Sequence, residues 1–306
     1  MNLRQGALAI RSRVRAAEGN QTRGIPRRGS LRRRVLILCA EHATLLIVVL
    51  VSLFPLYLMF IASLTPTADF SGSSLLPPGN PTFAAYARAW NDLGFDTMFV
   101  NSTILSLASG IGTTAIAAGA AYGFTRFRFA GRAVLLAAMI GMMAIPAVAI
   151  IVPLFILMAQ INWVNTYQGG IIAEIALLLP LSVFLLYSFM KDLPSELFEA
   201  AAVDGASTWR QFWEIALPMA RPAIVTSLVI SVIYAWNDLL IPLVLWQSSQ
   251  LQTLMVGLSA LGPGRSGARD IPTLMAGVTI SIAPLLVLFI FARRAIVAGL
   301  VEGADR

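Results

Sequence analysis

The acids that fall at membrane depth within long apolar stretches are Glu174 and Asp238, and the second is flanked by Trp236 and Asn237. An ionisable group at membrane depth is a candidate functional group by default, because holding it there is costly. An indole beside an amide and a carboxylate can bind a sugar, by ring stacking and paired hydroxyl contacts. Asp238 can equally cap or cross-link helices, and the residue types leave both readings open. Glu41 and His42 sit near one end of the first apolar run, where an interfacial pair is expected.

Candidates for catalysis are few. Lys191 is the single lysine, between Met190 and Asp192, so a Gly-rich loop ending in Gly-Lys-Ser/Thr is impossible and a P-loop is excluded. One histidine and one cysteine, Cys39, with no acidic metal cluster beside them, argue against a zinc site or a cysteine–histidine pair. A lone cysteine also rules out an intrachain disulfide. The remaining acidic group, Glu196, Glu199 and Asp204, lies in a polar stretch between two apolar blocks. No enzyme, catalytic residue, bound cofactor or metal is expected.

The elements that must position these residues cross a membrane. The chain is 58% hydrophobic and 12% charged, against about 25% charged in an ordinary soluble domain. Six apolar stretches lie at about 35–62, 98–124, 132–158, 168–190, 222–246 and 272–293. Each is long enough for a bilayer core that needs about 20 helical residues. The sequence therefore predicts an all-α integral membrane protein with six transmembrane helices.

Charge sets the orientation. Residues 1–34 hold ten arginines against Glu18 alone, with Gly24, Pro26 and Gly29 among them. This segment reads as a disordered basic arm touching anionic lipid, in preference to a nucleic-acid-binding arm. The apolar run after it is too long for a signal-peptide core and is expected to stay attached. With that arm inside, 19 of the lysines and arginines fall on the cytoplasmic side and Arg88, Arg265 and Arg269 outside. Both termini and the polar stretch around Glu199 are thus predicted to be cytoplasmic, in a multi-pass protein of the cell membrane.

Several stretches carry local signals. Phe83, Tyr86, Ala87 and Trp90 follow i, i+3, i+4, i+7 and predict a short amphipathic helix at the outer interface. Ser102, Ser106, Gly110, Thr114 and Ala118 recur every four residues beside the row Ser109, Thr113, Ala117 and Ala121. Such rows let helix backbones approach closely, so this span belongs inside a bundle or at a partner interface. Pro55, Pro146, Pro153, Pro180, Pro242 and Pro284 fall inside the apolar stretches, and kinks are expected there.

The polar stretch predicts two short helices. Pro194 fits a first turn, with Glu196 and Glu199 near the N-terminus, and Gly205 can end that helix by adopting positive φ. Ser207 can cap a second helix with Phe212 and Ile215 on its apolar side, before Pro218 and Pro222 restart the chain.

Glu199-Ala200-Ala201, Asp204-Gly205, and then Ile215 with Leu217-Pro218 resemble the EAA signature of the permease subunits of bacterial ABC importers. Nine residues separate Gly205 from Ile215, as that signature requires. The resemblance implies a type I importer transmembrane domain whose cytoplasmic coupling helix docks on a separate ATPase. Arg126-Phe127-Arg128-Phe129-Ala130-Gly131-Arg132 resembles the family's loop between the second and third spans. Trp236-Asn237-Asp238 resembles the carbohydrate branch, and the ending from Arg293 resembles the tail that lies against the ATPase pair. In similar importers a loop at Gly262–Gly267 reaches toward the substrate-binding protein.

The likeness runs from about residue 45 to the end, so the arm is unmatched. It implies residues 35–306 as the transmembrane domain, with a core of about 98–296. The subunit would resemble the smaller, maltose-type permease, completed by a second permease, an ATPase dimer that uses ATP, membrane lipid and an extracytoplasmic binding protein. Trp236, Asn237, Asp238 and Glu174 would be the candidate substrate path. The alternatives are a permease for glycerol-phosphate or polyol-type solutes and a secondary transporter. The last should show duplicated halves, and the halves look unlike.

Overall fold

The computed structural model describes the backbone of residues 28–70, 75–261 and 270–304, with side chains for residues 36–70, 75–261 and 270–292. The arm up to residue 27, the loop around Gly262–Gly267 and the side chains of the tail from Arg293 lie outside the described residues. Residue contacts divide the chain into two units after Tyr57.

Among the described residues the architecture is helical. Helix α1 (Arg28–Leu64) starts inside the segment read as a basic arm, where leucine and arginine favour helix. A short helix α2 (Ala84–Ala87) continues into a wide turn at Arg88–Asp92. Helix α3 (Phe95–Arg126) follows Gly94 at φ 72°. Helices α4 (Arg132–Met142) and α5 (Ala147–Gln160) come next, then α6 (Tyr167–Lys191). Helices α7 (Ser195–Val203), α8 (Thr208–Gln211) and α9 (Leu217–Met219) fill the polar stretch. The chain ends with α10 (Arg221–Asn237), α11 (Leu240–Leu245), α12 (Leu254–Ala260) and α13 (Ile271–Ala304).

Leu36–Leu64, α3, α6 and Ile271–Ala292 are each long and apolar enough to cross a membrane unbroken. Two of the six expected spans are not straight helices. The third bends by 105° between α4 and α5, at the break before Pro146. Proline lacks the N–H that would continue the ladder, and it pushes the preceding residue out of helical geometry. The fifth stops at Asn237 after 17 residues and resumes as α11, which begins beyond Asp238. By contrast α6 runs through Pro180 and α13 through Pro284 as continuous helices.

Helix α3 sits at the centre, packed on α6 and α10. All nine positions of its two small-residue rows are buried. A Cβ built on Gly110 would meet Val232 Cγ2 at 2.5 Å, so the missing side chain is what lets α10 approach. The short outer helix buries Ala85 and Ala89 against the chain and leaves Phe83, Ala87 and Trp90 exposed, with Tyr86 half-buried.

Candidate functional site

The element from Ser195 to Met219 is built by local stop and start signals. Glu196 occupies the first turn of α7, where the helix dipole favours a carboxylate. Pro194 is the N-cap residue, one position before the first turn expected for it. At the other end Ala206 N–H bonds to Ala201 O at 2.8 Å and Gly205 N–H to Ala202 O at 3.1 Å. These bonds form a Schellman motif, with Gly205 at φ 80°. A Cβ on Gly205 would meet no atom within 4 Å, so what the site demands is a backbone angle and not space.

Ser207 starts the second helix. Its Oγ accepts from Arg210 N–H at 3.3 Å, and Gln211 Nε2 donates to Ala206 O at 3.1 Å. The helix widens at Phe212–Ala216, where Leu217 N–H reaches back to Phe212 O. That widening lies just ahead of Pro218, which has no N–H to offer. The run Thr208–Met219 then meets α10 at 76°.

One face of this element is sunk into the bundle. Phe198 is the buried side chain of α7, and the Arg126 guanidinium carbon lies 3.3 Å from its ring centroid. Tyr122, one helical turn before Arg126 on α3, donates its hydroxyl to Thr208 O at 3.2 Å and packs its ring 5.1 Å from Phe212. Phe212, Ala216 and Ala220 share one core cluster with Ala117 and Ala121 of α3 and Val183, Leu186 and Met190 of α6.

The other face is open. Val203 is 88% exposed, Trp209 69% and Trp213 53%. The two indoles lie edge to face at 5.6 Å, and both touch Phe212. Arg210 Nε and Glu214 Oε2 pair at 2.8 Å across one exposed turn. Between the helices lies a cavity of about 170 Å³, lined by Ala201, Asp204, Ala206, Arg210, Gln211, Glu214 and Ile215. The fold thus brings Ala201, Asp204 and Ile215 to one hollow, with Glu199, Ala200 and Pro218 exposed and Leu217 half-buried.

The mid-bundle residues behave differently. Trp236 is buried, donates Nε1–H to Ser281 O at 3.1 Å, and meets Phe99 edge to face at 5.6 Å. In this structure the ring is 4% exposed, packed within the chain. Asp238 caps α11, accepting from Leu240 N–H at 3.2 Å and from Ile241 N–H at 2.9 Å. Of the two readings left open for it, the geometry shows the cap. Glu174 is 3% exposed, within hydrogen-bonding reach of Asp238, with Oε2 lacking a hydrogen-bond partner among the described residues. Asn237 is the exposed member, donating to Ile233 O at 2.7 Å.

At the end of the bundle opposite the 195–219 element, Arg88 and Asp270 pair at 3.3 Å. Arg88 also donates to Thr67 and Thr273, while Asp270 accepts from Thr67 and caps α13 through Thr273. Burial pushes the Asp270 carboxyl up, but hydrogen bonds from Thr273 and Thr67 and the Arg88 charge outweigh it and hold the group below its ordinary value. Asn101 Nδ2 bonds to Gln250 O and Gln252 O, and Asn165 Oδ1 accepts from Gln247 and Ser248 N–H, pinning the loop after α11.

Sequence reasoning missed Arg126, Phe198 and Tyr122 as a set, because it read Arg126 as an inside charge and as part of the loop resembling the family, with no link to Phe198. The aromatic pair Trp209 and Trp213, one turn apart in a polar stretch, was a signal available in the sequence. Among the described residues no group of three or more His, Cys, Asp or Glu is placed to hold a metal.

Residues 110–301 match the family described as binding-protein-dependent transport system inner membrane component. The chain is 30% identical over 266 residues to the diacetylchitobiose uptake system permease protein of Streptomyces coelicolor, covering 87% of this chain and 88% of that one. It is 31% identical over 261 residues to the trehalose/maltose transport system permease protein of Thermococcus litoralis, covering 85% and 93%. Identity is 30% over 283 residues to the sn-glycerol-3-phosphate transport system permease protein of Yersinia pestis, covering 89% and 98%. In three dimensions it resembles a chain of a bacterial ABC transporter that imports the acidic polysaccharide alginate. That likeness has a TM-score of 0.73 at 22% identity, covering 86% of this chain and 97% of that one.

Proposed function

Because the chain belongs to the family of binding-protein-dependent transport system inner membrane components, we propose that it carries a sugar or oligosaccharide through the membrane as one permease subunit of an ATP-driven ABC importer. A second permease completes the pore, and an extracytoplasmic binding protein delivers the solute. ATP is hydrolysed by a separate ATPase pair, since the single lysine of this chain forms no phosphate-binding loop. Both termini and the 195–219 element face the cytoplasm, in line with the excess of arginine on that side.

The observation that carries this reading is the two-faced 195–219 element. Its outer face offers Val203, Trp209, Trp213 and the hollow at Ala201, Asp204 and Ile215 to a partner. Its inner face is continuous with the core of α3 and α6. Closure of the ATPases pulls on the outer face, and the buried cluster passes that movement to the central helices. The breaks at Pro146 and Asp238 are where the path can change shape between inward-open and outward-open states.

The relatives named for diacetylchitobiose and for trehalose and maltose support a sugar cargo. Trp236, Asn237, Asp238 and Glu174 remain the proposed path. Asn237 is open to it now, and Trp236 joins only by leaving the Ser281 carbonyl. The Yersinia pestis relative favours a second cargo class, glycerol phosphates. Proteoliposomes holding the assembled importer and its binding protein decide the matter. Uptake of an oligosaccharide that needs ATP, the ATPase and the binding protein supports the reading. Uptake without the ATPase overturns it, and a binding protein that holds only glycerol phosphates moves the cargo to the second class.

A further inference from the structure

We propose that Arg126 is the positioning residue that fixes the 195–219 element to the transmembrane bundle, through its stack on Phe198; this rests on the coupling role proposed above. Arg126 is the last residue of α3, the helix at the centre of the bundle. Its guanidinium carbon stands 3.3 Å from the Phe198 ring centroid, close enough for a flat cation to lie against the ring's negative face. Its Nη2 is buried with no hydrogen-bond partner among the described residues. An arginine free to choose would turn that N–H toward an acceptor or water. Here the ring contact holds it where it can do neither.

Phe198 is the one side chain of α7 that is buried, while Glu196, Leu197, Glu199 and Val203 are exposed. The grip of the bundle on α7 therefore passes through a single ring, which belongs to the core cluster of α3 and α6 and carries the Arg126 guanidinium over it. The neighbouring grip, Tyr122, sits four residues earlier on the same face of α3 and holds α8 through Thr208 and Phe212. One turn of α3 thus grasps each half of the helix–turn–helix separately. A movement imposed on α7 reaches α3 through Phe198 with Arg126 upon it, and one imposed on α8 reaches it through Tyr122. The guanidinium suits this task because it is flat, permanently charged and able to stack, which an ammonium group does less well.

The test uses the assembled importer in proteoliposomes, reading solute moved per ATP hydrolysed. R126M keeps a long side chain and loses the charge; F198L keeps bulk and loses the ring. Each is expected to lower the ratio at least tenfold, with R126K between R126M and wild type and F198Y close to wild type. The double variant R126M/F198L should be no worse than either single change, because both remove one shared contact. An unchanged ratio in R126M overturns the proposal, as does a loss of uptake that merely follows the amount of assembled complex. Wild-type uptake in G205V would instead show that the element has no coupling role, and the proposal falls with it. A lowered ratio in G205V and an unaltered one in R126M would refute Arg126 alone.

Discussion

The polar residues in the middle of the bundle and those of the 195–219 element face opposite circumstances. At mid-bundle, Trp236, Asn237 and Asp238 direct their polar groups to the chain's own backbone at Ser281, Ile233, Leu240 and Ile241. On the 195–219 element, two indoles, a valine and an exposed ion pair are left facing outward. In the proposed topology the contrast follows from the solvent each meets. In hydrocarbon an unsatisfied polar group costs several kcal/mol, so a helix break there must be capped from within. Water tolerates open polar groups, and an exposed apolar cluster in it marks a surface that another protein or membrane covers.

The largest effect that would break this comparison is at Gly205. Its φ of 80° costs an ordinary residue about 1–2 kcal/mol, and a β-branched one more. G205V is expected to abolish uptake while membrane insertion, read by cell fractionation, stays normal. Normal uptake would remove the outward face from the mechanism.

A second test addresses the bundle. Gly110 allows the close approach of Val232, and G110L should lower thermal stability by about 1–3 kcal/mol through overpacking. The detergent-purified complex reports it as a lower melting temperature. An unchanged melting temperature would show that α10 yields freely.

Asp238 sharpens the contrast further. D238A removes the cap of α11 and should cost about 1 kcal/mol, while D238N keeps an accepting oxygen and most of the stability. If D238N instead retains stability and loses uptake, the carboxylate acts on the cargo and not only on the helix.

The smallest effect is at the opposite end of the bundle. Asp270 is held below its ordinary value in the folded chain. The contribution of its clasp with Arg88 is therefore complete above the ordinary aspartate range, near pH 4, and fades as pH falls through the lower folded value. The melting temperature of wild type should exceed that of D270N at pH 6, and the gap should close on acidification below pH about 4. A gap independent of pH would assign the stability to shape alone.

The parts of this architecture that were legible in the sequence are those set by neighbours in the chain. Gly205 as a helix stop, Ser207 as a cap and the small-residue rows of α3 depend on local backbone chemistry, and the structure shows each of them. The bend at Pro146 was only half legible, since Pro180 carries the same local signal and α6 runs through it. What surrounds each proline decides the outcome. Burial of Trp236 depends on Phe99 and Ser281, far away in the chain, which pattern alone does not reveal. The Arg126–Phe198 stack was hidden for the same reason, as charge counting sees an arginine and not the ring beneath it.

The most direct test of the account is a pull-down of the tagged chain from mild detergent, with mass spectrometry of what accompanies it. The account predicts an ATPase and a second permease with the wild type, and loss of the ATPase when Glu199 and Gly205 are both replaced. Recovery of the chain alone from well-solubilised membranes, or an ATPase retained in full by the double replacement, would contradict it.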